Sequence, residues 1–138
     1  MKIIVIEDDD DIRKLIEYAL KNADFKVEGY EKGEDFFSDE GDGDLFLLDV
    51  MLPDMDGIQI LQRLKKSPKY RESPVIMLTA KNSEFDIVNA LDKGADDYIT
   101  KPFGVMELIS RVKAILRRSY KQEAVSYTHL TLPTKRIV

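Results

Sequence analysis

Lys2-Ile3-Ile4-Val5-Ile6, running straight into Glu7-Asp8-Asp9-Asp10-Asp11, decides how the rest of the chain reads. The first half is apolar and mostly β-branched without polar alternation, the pattern of a strand covered on both faces. The second half puts five acids directly at that strand's end. From Asp11 the apolar positions Ile12, Leu15, Ile16, Ala19 and Leu20 recur at helical spacing, with Asp10 or Asp11 suited to cap the start. The unit is therefore strand, acidic turn, helix.

The same unit recurs down the chain. Phe25 to Tyr30 reads as a second strand, and Gly33 to Phe37 as a short helix ending in the turn-rich Ser38 to Gly43. Leu45-Phe46-Leu47-Leu48 is a third strand that stops at Asp49. Pro53, Asp54 and Gly57 are loop punctuation, after which Ile58, Leu61 and Leu64 stripe a helix closed by Ser67 and Pro68. Val75 to Leu78 is a fourth buried strand ending at Thr79. Phe85, Val88, Ala90 and Leu91 lie on a helix stopped by Gly94. A fifth strand near Asp97 to Thr100 ends at Lys101. Val105 to Tyr120 then sets Leu108, Ile109, Val112, Ile115 and Leu116 on one helical face, with basic residues in its last turns, where the dipole favours them.

Five strands alternating with five helices predict a parallel sheet covered on both faces, an α/β three-layer sandwich. The flavodoxin-like (βα)5 order 2-1-3-4-5 is the expectation, and it places a ligand crevice beyond the carboxyl ends of the first and third strands. Those ends carry Glu7, Asp8 and Asp49.

The chain of 138 residues has room for one domain with a real core. With 26 acidic against 21 basic residues its net charge is −5, which argues against broad nucleic-acid binding by this segment. Cysteine is absent and His129 is the lone histidine, so disulfide frameworks and thiolate or histidine zinc sites are excluded. No apolar run approaches the roughly 20 residues needed to span a bilayer, and Met1 to Ile6 lacks the layout of a secretory signal, so a cytoplasmic location is expected.

Adjacent parallel strands lie about 4.8 Å apart, so the expected order forces carboxylates from two strand ends into one cleft. Two like charges at about 4 Å cost roughly 1 kcal/mol in water and about 4 kcal/mol at an effective dielectric near 20. A hard divalent cation relieves that repulsion, and Mg²⁺ prefers carboxylate, carbonyl and water oxygens. Asp8 and Asp49 are read as direct ligands, Glu7 as a largely water-mediated one, and the Met51 backbone carbonyl as the last protein ligand. Asp49 ends a wholly apolar strand and is also placed as a nucleophile toward phosphorus. Phosphoryl transfer to a carboxylate needs alignment and neutralisation of the phosphoryl oxygens. Lys101 supplies a cation for one oxygen and Thr79 a hydroxyl for another. Singly, each has a plain reading: a helix cap on a solvated surface, a strand threonine, a loop lysine before proline. The acidic run, Asp49, Thr79 and Lys101 all fall at carboxyl ends of strands, and that coincidence carries the argument.

Four segments, Ile4 to Asp9, Leu47 to Gly57, Met77 to Ala80 and Gly94 to Phe103, together resemble bacterial two-component receiver domains over about residues 1–120. The resemblance implies phosphorylation of Asp49 by a sensor histidine kinase, Mg²⁺ dependence and a cis Lys101-Pro102 bond. It implies a switch in which Thr79 moves toward the phosphoryl group and Tyr98 turns inward. Lys101 to Arg118 looks most like regulators of the OmpR/PhoB type, whose output is a winged-helix DNA-binding domain. In these, Leu91, Asp96, Asp97, Glu107, Arg111, Lys113 and Arg118 would form a homodimer face on the fourth helix, fifth strand and fifth helix. Ile87 departs from the pattern, since relatives usually place a basic residue there.

Residues 121–124 read as the start of a linker. Residues 125–138 lose helical periodicity and acids, and Val125-Ser-Tyr-Thr-His-Leu resembles a translated transposase adapter. That tail is expected to be non-native and disordered, and the DNA-binding output domain to be missing. Two other classes compete with this reading. A haloacid dehalogenase-type phosphohydrolase would use Asp8 and Asp10 as Asp-x-Asp, but Asp11 and Ile12 fit that motif poorly. A receiver-shaped interaction module would never be phosphorylated. Nucleotide binding has no glycine-rich loop after the first strand to support it.

Overall fold

The computed structural model describes residues 1–52, 55–80 and 84–129, with side chains up to 118 apart from that of Asp86. Pro53, Asp54 and the tail beyond His129 lie outside the described residues. Five strands alternate with five helices: β1 Lys2–Ile6, α1 Asp10–Asn22, β2 Lys26–Tyr30, α2 Gly33–Asp39, β3 Leu45–Asp49, α3 Gly57–Lys66, β4 Val75–Ala80, α4 Glu84–Asp92, β5 Asp97–Lys101 and α5 Val105–His129. The strands form one parallel sheet in the order β2-β1-β3-β4-β5.

Continuous apolar strands explain why both faces are covered. Ile4, Ile6, Phe46, Leu48, Val75 and Met77 point to one side, where they pack on Phe36 of α2, Ile60, Leu61 and Leu64 of α3, and Ala90 of α4. Ile3, Val5, Leu45, Leu47, Ile76 and Leu78 point to the other, against Ile16 and Leu20 of α1 and Leu108, Val112 and Ile115 of α5. The side-chain period of two along each strand divides one apolar run between two cores.

Strand ends shift by a residue or two, β2 starting at Lys26 and β4 running to Ala80, and three helix ends differ from the sequence reading. The cap of α1 is Asp9, whose Oδ1 accepts from the Ile12 amide at 3.0 Å, and not Asp10 or Asp11, which sit inside the first turn. Capping rewards the residue with extended backbone just before the helix, and the strand ends early enough to leave Asp9 there. Helix α2 runs on to Asp39, where Glu40 takes a left-handed cap with φ 50°. Helix α5 continues past Tyr120 to His129, into the stretch expected to be disordered. No glycine or proline interrupts the chain from Val105 to Leu132, so nothing covalent stops a helix already nucleated. Among the described residues, no helix is long and apolar enough to cross a membrane.

Candidate functional site

The strand register brings the polar residues together. Ile6 pairs with Leu48, Asp49 with Leu78, Thr79 with Thr100 and Ala80 with Lys101, so Glu7, Asp49, Thr79 and Lys101 all emerge along one edge of the sheet. Glu7 is fully buried, Asp49 6% exposed and Thr79 2% exposed, unusual values for charged and polar groups. One carboxylate oxygen from each of Glu7, Asp8 and Asp49 lies within 4.8 Å of the others. The Lys101 ammonium sits 2.8 Å from Glu7 Oε1 and 3.2 Å from Asp49 Oδ2. The Lys101-Pro102 bond is cis.

Each side chain is held from its backbone. The Glu7 amide donates to the Tyr30 carbonyl at 3.0 Å, extending the β1–β2 ladder by one residue. Asp49 Oδ1 accepts from the Met51 amide at 3.2 Å, which turns the chain just after β3. Met51 itself is 75% exposed. The Val50 amide donates to Leu78 and the Val50 carbonyl accepts from Gly57, fixing the loop against β4 and α3. The Asp56 capping box then starts α3, its side chain accepting from Ile58 while Gln59 accepts from the Asp56 amide.

Burial pushes the Glu7 carboxyl up to about 7, helped by its hydrogen bond with Asp49 and opposed by Lys101. Burial pulls the Lys101 ammonium down, but the Glu7 and Asp49 carboxylates outweigh it and leave it above its ordinary value. Three carboxyl groups face one ammonium, so acidic groups outnumber cations in a cleft whose Glu7 and Asp49 are buried and whose Asp8 is half-exposed. The Thr79 hydroxyl is buried with no hydrogen-bond partner among the described residues. A buried orphan of this kind calls for an explanation, since most buried polar groups are paired. Hard oxygen donors, surplus acidic groups and an unpaired hydroxyl are together the donor set that a small divalent cation and a bound oxyanion would complete.

Tyr98 is half-buried and packs against the core on the α3 side. Much of the expected dimer face is engaged within the chain. Arg111 pairs with Asp97 at 3.1 Å and with Glu107 at 3.2 Å. Asp96 Oδ2 accepts from the Val75 amide at 2.8 Å and lies 3.9 Å from Lys65. Leu91, Lys113 and Arg118 are exposed, and Ile87 is half-buried. Arg13 escaped the sequence reading: its guanidinium donates to the Glu7 carbonyl at 2.8 Å and pairs with Asp10 at 2.5 Å. A cation in the first turn of a helix, where the dipole disfavours it, was the available signal.

The response regulator receiver domain family matches residues 3–113. A BeF3-activated DrrB receiver domain is 38% identical, covering 84% of this chain and 97% of that one, with a TM-score of 0.78. The receiver domain of a Francisella response regulator is 32% identical over 86% of this chain and 98% of its own, with a TM-score of 0.76. The chemotaxis response regulator CheY4 of Vibrio cholerae shares the fold, at 23% identity over 83% of this chain and 97% of its own, with a TM-score of 0.77.

Proposed function

The chain belongs to the response regulator receiver family, and from that premise we propose that Asp49 accepts a phosphoryl group from a sensor histidine kinase and so controls an output. The observation that carries the reading is the meeting of Glu7, Asp8 and Asp49 within 4.8 Å of one another, beside the Lys101 ammonium. Glu7, Asp8 and Asp49 would hold Mg²⁺, with the Met51 carbonyl as a further ligand. When bound, the ion supplies positive charge against the phosphoryl oxygens.

The chain's own residues do the rest. A carboxylate oxygen of Asp49 forms a bond to phosphorus as the phosphorus–nitrogen bond of a phosphohistidine breaks, and the leaving nitrogen keeps the electron pair. Lys101, already 3.2 Å from Asp49, exchanges carboxylate for a phosphoryl oxygen. Thr79 turns its hydroxyl, which has no partner among the described residues, toward another and donates to it. Tyr98, against the neighbouring core, follows Thr79 inward. The domain thus assists transfer to and from itself, and is not an enzyme acting on an outside substrate.

The output we propose is a DNA-binding transcription regulator of the OmpR/PhoB type in the cytoplasm. Its homodimer forms through α4, β5 and α5, and DNA is contacted only by a domain outside this sequence. Exposed Phe85, Val88 and Leu91 on α4, and the Asp97–Arg111–Glu107 cluster on β5 and α5, support that face. The test is incubation with acetyl phosphate and Mg²⁺ followed by mass spectrometry. One phosphate per chain is expected, abolished in Asp49→Asn. Continuous turnover of the donor without a stable adduct would point instead to a phosphohydrolase, and no adduct at all to an interaction module.

A further inference from the structure

Arg13 is the one cation in the acidic first turn of α1, and its side chain is only 15% exposed. Its guanidinium spans two elements. Nη1 donates to the backbone carbonyl of Glu7, the residue where β1 leaves the sheet, at 2.8 Å, and Nη2 pairs with Asp10 Oδ1. The Glu7 peptide is therefore gripped on both sides, its N–H by the Tyr30 carbonyl and its C=O by Arg13. Next along, the Asp9 amide donates to Glu7 Oε2 at 3.2 Å and Asp9 caps α1. Gly29 of β2 leaves the room: a Cβ there would come within 3.1 Å of Arg13 Cδ and 1.8 Å of Glu17 Oε2.

We infer that Arg13 is a positioning residue for cation binding, holding the Glu7–Asp8 turn in the geometry that gathers both carboxylates with Asp49. The inference rests on the reading of Glu7, Asp8 and Asp49 as the Mg²⁺ set. A fork-shaped guanidinium suits the task because it bonds a carbonyl and a carboxylate at once, whereas an ammonium is a compact point charge. Two effects of removing it oppose each other. Loss of a positive charge, with Asp10 freed, would tighten cation binding through the field. Loss of the grip on Glu7 would loosen it by disordering the ligands, and partners behind a metal ligand are worth about 10–100-fold in affinity. The grip is the larger effect here, because the carboxylate of Asp10 left behind is 64% exposed and its field is screened by water.

The experiment has two readouts on the full chain. In metal-free Arg13→Ala, amide hydrogen exchange at Glu7 and Asp9 is expected to rise about tenfold while exchange at Leu47 and Leu48 of β3 stays unchanged. In a Mg²⁺ titration followed by NMR, Arg13→Ala is expected to bind about tenfold more weakly than wild type, with Arg13→Lys in between. Unchanged exchange at Glu7 and Asp9, a uniform rise that includes β3, or Mg²⁺ binding that is equal or tighter would each overturn the positioning role. Failure of the wild-type chain to bind Mg²⁺ would sink the metal reading itself, and the metal-free exchange pattern still decides what Arg13 does to the turn.

Discussion

Glu7 is an acid that folding buries completely. A carboxyl whose folded pKa is about 7 against an ordinary 4.5 holds its proton more tightly folded than unfolded. Below pH about 4.5 both states are protonated and nothing is lost. Between pH about 4.5 and about 7 the unfolded chain releases a proton that the folded one keeps, so stability falls as pH rises. The metal-free protein should therefore melt at a lower temperature near pH 8 than near pH 5. Glu7→Gln should flatten that slope, and a slope unchanged in Glu7→Gln would show that another group causes it. Thr79 makes the companion case. Replacing an unpaired buried hydroxyl with a methyl of similar shape removes a desolvation cost of about 1 kcal/mol. Thr79→Val should thus gain stability in urea unfolding while slowing phosphorylation by acetyl phosphate about a hundredfold. Loss of stability in that variant would mean that the hydroxyl has a partner after all.

The loop from β3 into α3 is where one missing side chain matters most. A Cβ on Gly57 would lie 2.2 Å from the Asp49 carbonyl and 2.8 Å from the Val50 Cα, both backbone atoms with nowhere to go. Gly57→Ala should cost about 2–3 kcal/mol in urea unfolding. Because the clash is with the peptide of Asp49, it should also weaken Mg²⁺ binding. A variant as stable as wild type would show that α3 can shift away freely. Elsewhere the elements follow local rules that were legible in the sequence: apolar runs made β1, β3 and β4, and 3.6-residue spacing made α1 and α3. The α1 cap was misassigned by one or two residues because four consecutive aspartates all have capping side chains. Only the end of β1 selects Asp9.

The three layers converge on a domain with its chemistry at one edge and an apolar flank on α4. Phe85 is 80%, Val88 50% and Leu91 42% exposed, more than a face in water needs. If phosphorylation drives pairing through that face, gel filtration with acetyl phosphate and Mg²⁺ should shift the chain from monomer toward dimer. Leu91→Glu should block the shift and leave the phosphate mass gain intact. A dimer that forms equally well in Leu91→Glu would place the interface elsewhere. Asp97 and Arg111 are already paired within the chain, so any contact they make across a dimer must trade one ion pair for another, which yields little net energy at a half-exposed site.

The sequence by itself determined the strand and helix count, the parallel order β2-β1-β3-β4-β5 and the candidates Glu7, Asp8, Asp49, Thr79 and Lys101. Apolar runs and right-handed crossovers admit few other arrangements, and ligand crevices follow from the winding. Only the tertiary structure decided that Lys101 bridges Glu7 and Asp49, that the Thr79 hydroxyl finds no partner among the described residues, and that Arg13 grips the end of β1. Those are distances between side chains far apart along the chain, and no local pattern encodes them.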